Sequence, residues 1–181
     1  LTGVYNIFNK VLNPTDRIYN KYYPRGKDFF NIGVNYQFFW KRFTFLGETA
    51  LDKQGRIATM NMLRYSPKGS FQLVVMNRFY DVAYQSMYAN SIGEGSSVQN
   101  ESGFYIGLET NILRCFKLNA YGDFFYFPWK KYQVSKNGTH GFDGVFQLSF
   151  SPRYELDMFI RYRYKNKHKD ITPEGGKKTT L

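Results

Sequence analysis

The chain has 181 residues, enough for one domain, and its 25 Lys+Arg against 14 Asp+Glu give a formal net charge of +11. Apolar residues at 43% and charged residues at 22% exclude an intrinsically disordered chain, and a single cysteine, Cys115, excludes an internal disulfide framework or a cysteine-rich metal site. No apolar run approaches the roughly 18 residues of a membrane-spanning helix, and the mean hydropathy is −0.50, yet 20% of the residues are aromatic.

The elements, taken in chain order, have a period of two. Residues 3–10 form a weak strand candidate. In residues 30–40, Ile32, Val34, Tyr36, Phe38 and Trp40 fall on one face, and Asn31, Gly33, Asn35 and Gln37 on the other. Such alternation is the mark of a strand with one apolar and one polar side. Looser versions follow at 43–52, 56–65 and 71–80, and within 56–65 the pattern does not say which face is which. Phe104, Ile106, Leu108, Thr110 and Ile112 alternate with Tyr105, Gly107, Glu109 and Asn111. Residues 116–127 and 142–150 continue the pattern. It is clearest where Tyr154, Leu156, Met158, Ile160, Tyr162 and Tyr164 alternate with Glu155, Asp157, Phe159, Arg161 and Arg163. No segment carries a convincing helical period.

The connections alternate in length. Lys41-Arg42, Ser66-Pro67-Lys68-Gly69, Arg114-Cys115 and Ser151-Pro152-Arg153 read as tight turns. Residues 11–28, 81–102, 128–141 and 165–181 read as long loops, with 52–55 the one short member of that set. Short turns at one end and long loops at the other are the layout of an outer-membrane barrel. The expected fold is therefore all-β: an antiparallel up-and-down transmembrane β-barrel with long extracellular loops, in the bacterial outer membrane. Strands of about 9–11 residues suit a membrane crossing. Trp40, Phe43, Tyr65, Phe71, Phe116, Phe150 and Tyr154 flank the short turns, and Trp129 sits at the long-loop end, as two interfacial belts require. Bacterial barrels of this kind have even strand numbers, whereas the count here is about nine. The expectation is that residues 1–181 are part of a larger barrel, either a mature form or an excerpt.

Several stretches resemble a family. They include Tyr22-Tyr23-Pro24-Arg25-Gly26-Lys27-Asp28-Phe29-Phe30-Asn31, Phe45-Leu46-Gly47-Glu48-Thr49-Ala50 and Tyr84-Gln85-Ser86-Met87-Tyr88-Ala89-Asn90. Val98-Gln99-Asn100-Glu101-Ser102-Gly103, residues 119–129 and Met158-Phe159-Ile160-Arg161-Tyr162-Arg163-Tyr164 complete the set. Together they resemble the C-terminal β-barrel region of Bacteroidetes outer-membrane proteins described as helix-hairpin-helix, or ComEA-like, proteins. The resemblance spans nearly the whole chain and implies fold and location. It brings no catalytic residues.

On the polar side, Glu48, Arg78, Glu109, Asp123, Glu155, Asp157, Arg161 and Arg163 are candidate lumen residues. They would line a porin-like pore or fill a narrow barrel as ion pairs. The loop at 81–102 offers Tyr84, Gln85, Tyr88, Asn90, Gln99 and Asn100 as contact residues, either as a plug or toward another envelope protein. The basic excess sits in loops and ends, at Lys21, Arg25, Lys27, Lys130, Lys131, Lys136, Lys165, Lys167, Lys169, Lys177 and Lys178. It suits outer-membrane lipid and the phosphates of lipopolysaccharide, and no nucleic-acid signature accompanies it. His140 and His168, read as loop residues near Asp143 and Asp170, keep an outer-membrane hydrolase as an alternative. A DNA-uptake component is a second alternative, resting on the resemblance. No nucleophile elbow or metal-ligand spacing occurs. The expectation is a non-enzymatic barrel segment, a channel wall or structural component, with no cofactor and no metal.

Overall fold

The computed structural model describes residues 1–171 and 179–180. Nine main strands lie in sequence order across one antiparallel sheet. They are β1 (Thr2–Leu12), β2 (Gly26–Trp40), β3 (Phe43–Asp52), β4 (Ile57–Lys68), β5 (Phe71–Tyr80), β6 (Glu101–Leu113), β7 (Phe116–Phe127), β8 (Thr139–Arg153) and β9 (Leu156–Lys167). A two-residue ladder joins β10 (Asp170–Ile171) to β11 (Thr179–Thr180), and the helical content of the described residues is a 3-10 turn at Ile18–Asn20. The protein is thus all-β and up-and-down, with almost no helix. β1 and β9 do not pair with each other, so the sheet is open.

Register sorts the side chains onto two faces, because directly paired residues in antiparallel strands share a side. Arg78 pairs with Gly103, Gly103 with Phe125, and Phe125 with Gly141. One row further along, Met76, Tyr105, Asp123, Asp143 and Lys165 align in the same way. This is the polar face. The opposite face carries Ile32, Val34, Phe38, Phe104, Ile106, Phe124, Phe146, Ile160 and Tyr162, all exposed. Among the described residues, every buried strand side chain lies on the polar face: Phe29, Thr44, Asp52, Ala58, Met76, Arg78, Tyr80, Glu101, Phe125, Phe127, Thr139 and Asp143. The sheet therefore buries its polar side and presents its apolar side, the reverse of a water-soluble sheet packed on a core.

Residues 56–65, whose pattern does not distinguish the faces, take a definite orientation. Ala58, Met60 and Met62 take the buried side, and Thr59 and Asn61 the apolar one. Those outward polar groups satisfy each other. The Tyr36 hydroxyl donates to Asn61 Oδ1 at 2.5 Å, Asn61 Nδ2 donates to Thr59 Oγ1 at 3.2 Å, and the Thr49 and Thr59 hydroxyls lie 2.8 Å apart. The Tyr36 ring lies over Gly47, where a Cβ would overlap it.

Several boundaries differ from the expected ones. β8 runs through Ser151-Pro152-Arg153, so the turn lies at Tyr154 and Glu155. β4 extends to Lys68, leaving Gly69 and Ser70 as its turn. Glu101 and Ser102 begin β6 rather than ending a loop. His140 belongs to β8, and β9 continues to Lys167. Lys177 and Lys178 lie outside the described residues.

Candidate functional site

The polar face is organised by Arg78. Its side chain is 0% exposed near the long-loop end of β5, which demands counter-charges. Nε donates to Glu101 Oε1 at 2.8 Å, and the two terminal nitrogens straddle Asp123 at 2.7 and 3.1 Å. Asp123 stands on β7, two strands away. The guanidinium reaches it across Gly103, whose missing Cβ is what leaves the path open. Glu101, 1% exposed, then accepts the backbone N–H groups of Glu94 at 2.9 Å and Gly95 at 2.8 Å.

Those two amides belong to the loop at 81–100, and the loop lies across the polar face. At its start, Asn31 of β2 donates to the Gln85 carbonyl at 2.8 Å, and Asp52 of β3 accepts the Gln85 N–H at 3.0 Å. Tyr84 packs with Ala58 and Tyr80, and the Tyr80 hydroxyl meets Ser91 and the Ile92 carbonyl. Further along, the Glu94 carboxylate accepts Lys165 Nζ at 2.6 Å and Lys167 Nζ at 3.3 Å, both on β9. The loop is therefore a strap fastened from β2 to β9. Burial pushes the Glu94 carboxyl up, but the bonds from the two lysines outweigh it and hold it below the ordinary carboxylate range. Asp143 closes the network, accepting Arg163 at 3.0 and 2.5 Å and facing Lys165 at 3.3 Å.

Below the strap, toward the short turns, the polar face forms a groove of about 520 Å³. Tyr105 and Tyr121 stack along it with centroids 5.6 Å apart. Gln72, Asn119, Glu109, Gln147 and Arg161 also line it. Arg161 Nε donates to Gln147 Oε1 at 2.6 Å, and Lys117 pairs with Glu109 at 2.8 Å.

Of the expected lumen residues, Arg78 and Asp123 meet in the buried network. Glu48, Glu109, Asp157, Arg161 and Arg163 stand on the same face, and Asp157 accepts the Ser151 hydroxyl at 2.7 Å. Glu155 does not: it lies in the β8–β9 turn, exposed, because β8 runs three residues further than expected. Glu101, Glu94, Asp143 and Lys165 were missed as a network. Their signal was present in the charge inventory but needed the register to be read. Among the loop residues, Tyr84, Gln85 and Asn100 hold the strap itself, and Gln99 is half-buried. Tyr88, 72% exposed, and Asn90, also exposed, line a hollow over the polar face beside Glu48 and Ala50.

The short-turn aromatics form a row on the apolar face. Trp40 stacks on Phe43, Phe43 on Tyr65 at 4.6 Å, Tyr65 meets Phe71 edge-on, and Phe116 stacks on Phe150 at 4.6 Å. Tyr154 sits in a turn, fully exposed. Trp129 leaves the belt. It joins Tyr22 and Lys21 in a cluster between loops, and Asn100 brackets its backbone N–H and carbonyl. The two histidines lie edge to face at 5.0 Å, and His168 Nδ1 donates to the His140 carbonyl at 2.8 Å. Asp143 points to the polar face, away from them. Asp170 accepts the Ser135 amide and hydroxyl. Comparison with protein-family models, curated proteins and solved structures finds no match for this chain.

Proposed function

We propose that the chain forms part of the wall of a bacterial outer-membrane β-barrel and serves as a non-enzymatic structural component of an envelope assembly. The observation that carries the reading is the inverted sheet, with exposed aliphatic and aromatic side chains on one face across all nine strands and the charges, Arg78, Glu101 and Asp143 buried among them, on the other. In water such a face costs free energy in proportion to its area, whereas acyl chains solvate it without penalty. The aromatic row at the short turns suits a membrane interface. The outward Tyr36–Asn61–Thr59 ring satisfies its own polar groups, as lipid demands.

The long edges of β1 and β9 need partner strands in the same setting, so the reading includes further strands that complete the barrel. Between a channel wall and a structural barrel, the strap favours the second, because it occupies the polar face that would line a pore. The resemblance to the Bacteroidetes barrels points to the same compartment. Lipid and lipopolysaccharide are then the nearest partners, with Tyr88 and Asn90 available to another envelope protein.

The test is a cysteine scan along β6 in phosphatidylcholine vesicles, with Cys115 first replaced by serine. Labels at positions 104, 106 and 108 should be quenched by brominated acyl chains, and labels at 105, 107 and 109 should not. Equal quenching at the two sets, or a soluble monomeric protein without detergent, would overturn the reading. Single-channel conductance of the complete protein separates a pore from a plugged barrel.

A further inference from the structure

At the long-loop end, β7, the β7–β8 loop, the start of β8 and the end of β9 with the residues after it line a pocket of about 220 Å³. Among the described residues its lining carries Lys131, Lys167, Lys169, His140 and His168, and no carboxylate. Lys131 is the informative member. Its Nζ lies 3.6 Å from the centroid of the Phe127 ring, and among the described residues it makes no ion pair. Burial holds its pKa down.

The carboxylates around it are already engaged. Glu101 is held by Arg78, Glu94 by Lys165 and Lys167, and Asp170 by Ser135. Lys131 is a half-buried ammonium with spare donors, beside Lys169 and beside Lys167, which shares the single Glu94 carboxylate with Lys165, so among the described residues positive charge exceeds negative charge here. Next to it is an aromatic hollow of about 130 Å³, lined by Tyr22, Trp129 and Tyr132 and sharing Lys131 with the first pocket. Ring faces of this kind suit the C–H edges of a sugar, because their negative π-faces meet positive edges.

We propose that this end of the molecule binds a phosphorylated sugar, with the phosphate oxygens on Lys131, Lys167 and Lys169 and the sugar ring against Tyr132 and Trp129. Lysine ammonium groups recognise phosphate as point charges by charge-assisted hydrogen bonds. The ligand can be a soluble sugar phosphate or the phosphosugar headgroup of a membrane glycolipid, since the chemistry presented is the same. The inference rests on the pocket and not on the sheet lying in a bilayer.

The experiment titrates the full chain in detergent micelles with glucose 1-phosphate and with glucose. In a second arm, the chain is added to phosphatidylcholine vesicles carrying diphosphoryl lipid A or its dephosphorylated form. Saturable binding of glucose 1-phosphate without binding of glucose supports the site with a free ligand. Saturable binding of diphosphoryl lipid A alone supports it with a headgroup. Lys169→Gln, at an exposed position, should weaken whichever phosphate ligand binds by about tenfold with an unchanged unfolding midpoint, and Lys131→Gln should do so by at least as much. Absence of phosphate-dependent binding in both arms, or wild-type affinity in Lys169→Gln and Lys131→Gln, overturns the proposal.

Discussion

Glu101→Gln isolates the latch that holds the strap. The native carboxylate accepts three bonds, from Arg78 Nε, Glu94 N and Gly95 N, at 2.8–2.9 Å. Glutamine keeps one acceptor oxygen. That oxygen can retain Arg78 and Glu94, which both address Oε1, but the amide nitrogen then confronts the Gly95 N–H donor to donor. One charge-assisted bond is lost, worth about 1.5–3 kcal/mol, and a backbone N–H is left unpaired at a similar cost. Arg78 is not orphaned, because its two-pronged contact with Asp123 survives. The penalty therefore falls on the strap, at about 3 kcal/mol or a factor on the order of 100 in its opening equilibrium. Two tryptophans report separately. Trp129 is tied to the strap through Asn100, and Trp40 sits at the far end of the sheet beside Phe43. Hydrogen exchange of residues 90–95 should accelerate by that factor, and the urea midpoint read at Trp129 should fall below the one read at Trp40. Unchanged exchange at 94 and 95, or midpoints that fall together, would refute the latch.

Three further outcomes are expected. Glu94 has its folded-state pKa below its ordinary 4.5, so its bonds to Lys165 and Lys167 contribute fully above that value and are lost as pH falls through the lower one. The exchange protection of the strap, corrected for the intrinsic pH dependence of amide exchange, should therefore stay flat from about pH 5 to 8 and fall in acid below the ordinary carboxylate range, and protection unchanged throughout acid titration would count against the contact. Ile106→Arg places a charge on the apolar face in the middle of β6. It should cost about 2–4 kcal/mol on folding into phosphatidylcholine vesicles, and a neutral result there would remove the lipid-facing assignment. Gly103→Ala puts a methyl where the Arg78 guanidinium crosses to Asp123. A loss of about 1–3 kcal/mol in urea unfolding is expected, and an unchanged midpoint would mean the arginine does not run across that glycine.

Strand existence and order were legible because alternation over ten or more residues leaves few other readings. β3, β5 and β7 have the bounds that the pattern assigned. β4 was not legible in face, since Met60 and Met62 turn inward while Thr59 and Asn61 turn outward. Hydrophobicity alone inverts that strand, and only the mutual hydrogen bonds with Tyr36 and Thr49 make the observed choice tolerable. The β8–β9 turn was misplaced because Pro152 reads as a turn residue, yet proline is accepted at a strand end where its missing N–H interrupts no ladder. Arg78 and Asp123 are visible in the sequence as inward charges, but that Arg78 holds Glu101 as well as Asp123 is not. The position of Glu101 at the start of β6 reads as loop. The strap was foreseen as a possible plug. Its fastening points could not be, since Asn31, Asp52 and Lys165 lie far from it in sequence.

If the sheet is completed into a barrel as proposed, its two edges among the described residues, β1 and β9, are not equivalent, and that difference constrains the strands that would complete it. β1 and β9 are both odd-numbered strands of an antiparallel array, so they run in the same direction and could close on each other only through a parallel ladder. An all-antiparallel closure needs an odd number of additional strands. On the polar face β1 presents Thr2, Val4 and Asn6, without charge, whereas β9 presents Phe159, Arg161 and Arg163. Arg163 already has Asp143, but among the described residues Arg161 engages only the neutral Gln147 and the Phe159 ring. A strand that pairs with β9 should therefore carry an Asp or Glu on its inward side opposite Arg161. Charge reversal at that acid should then be rescued by Arg161→Glu in the complete protein, measured as recovery of the urea midpoint. Two independent losses with no recovery would show that β9 is covered in some other way.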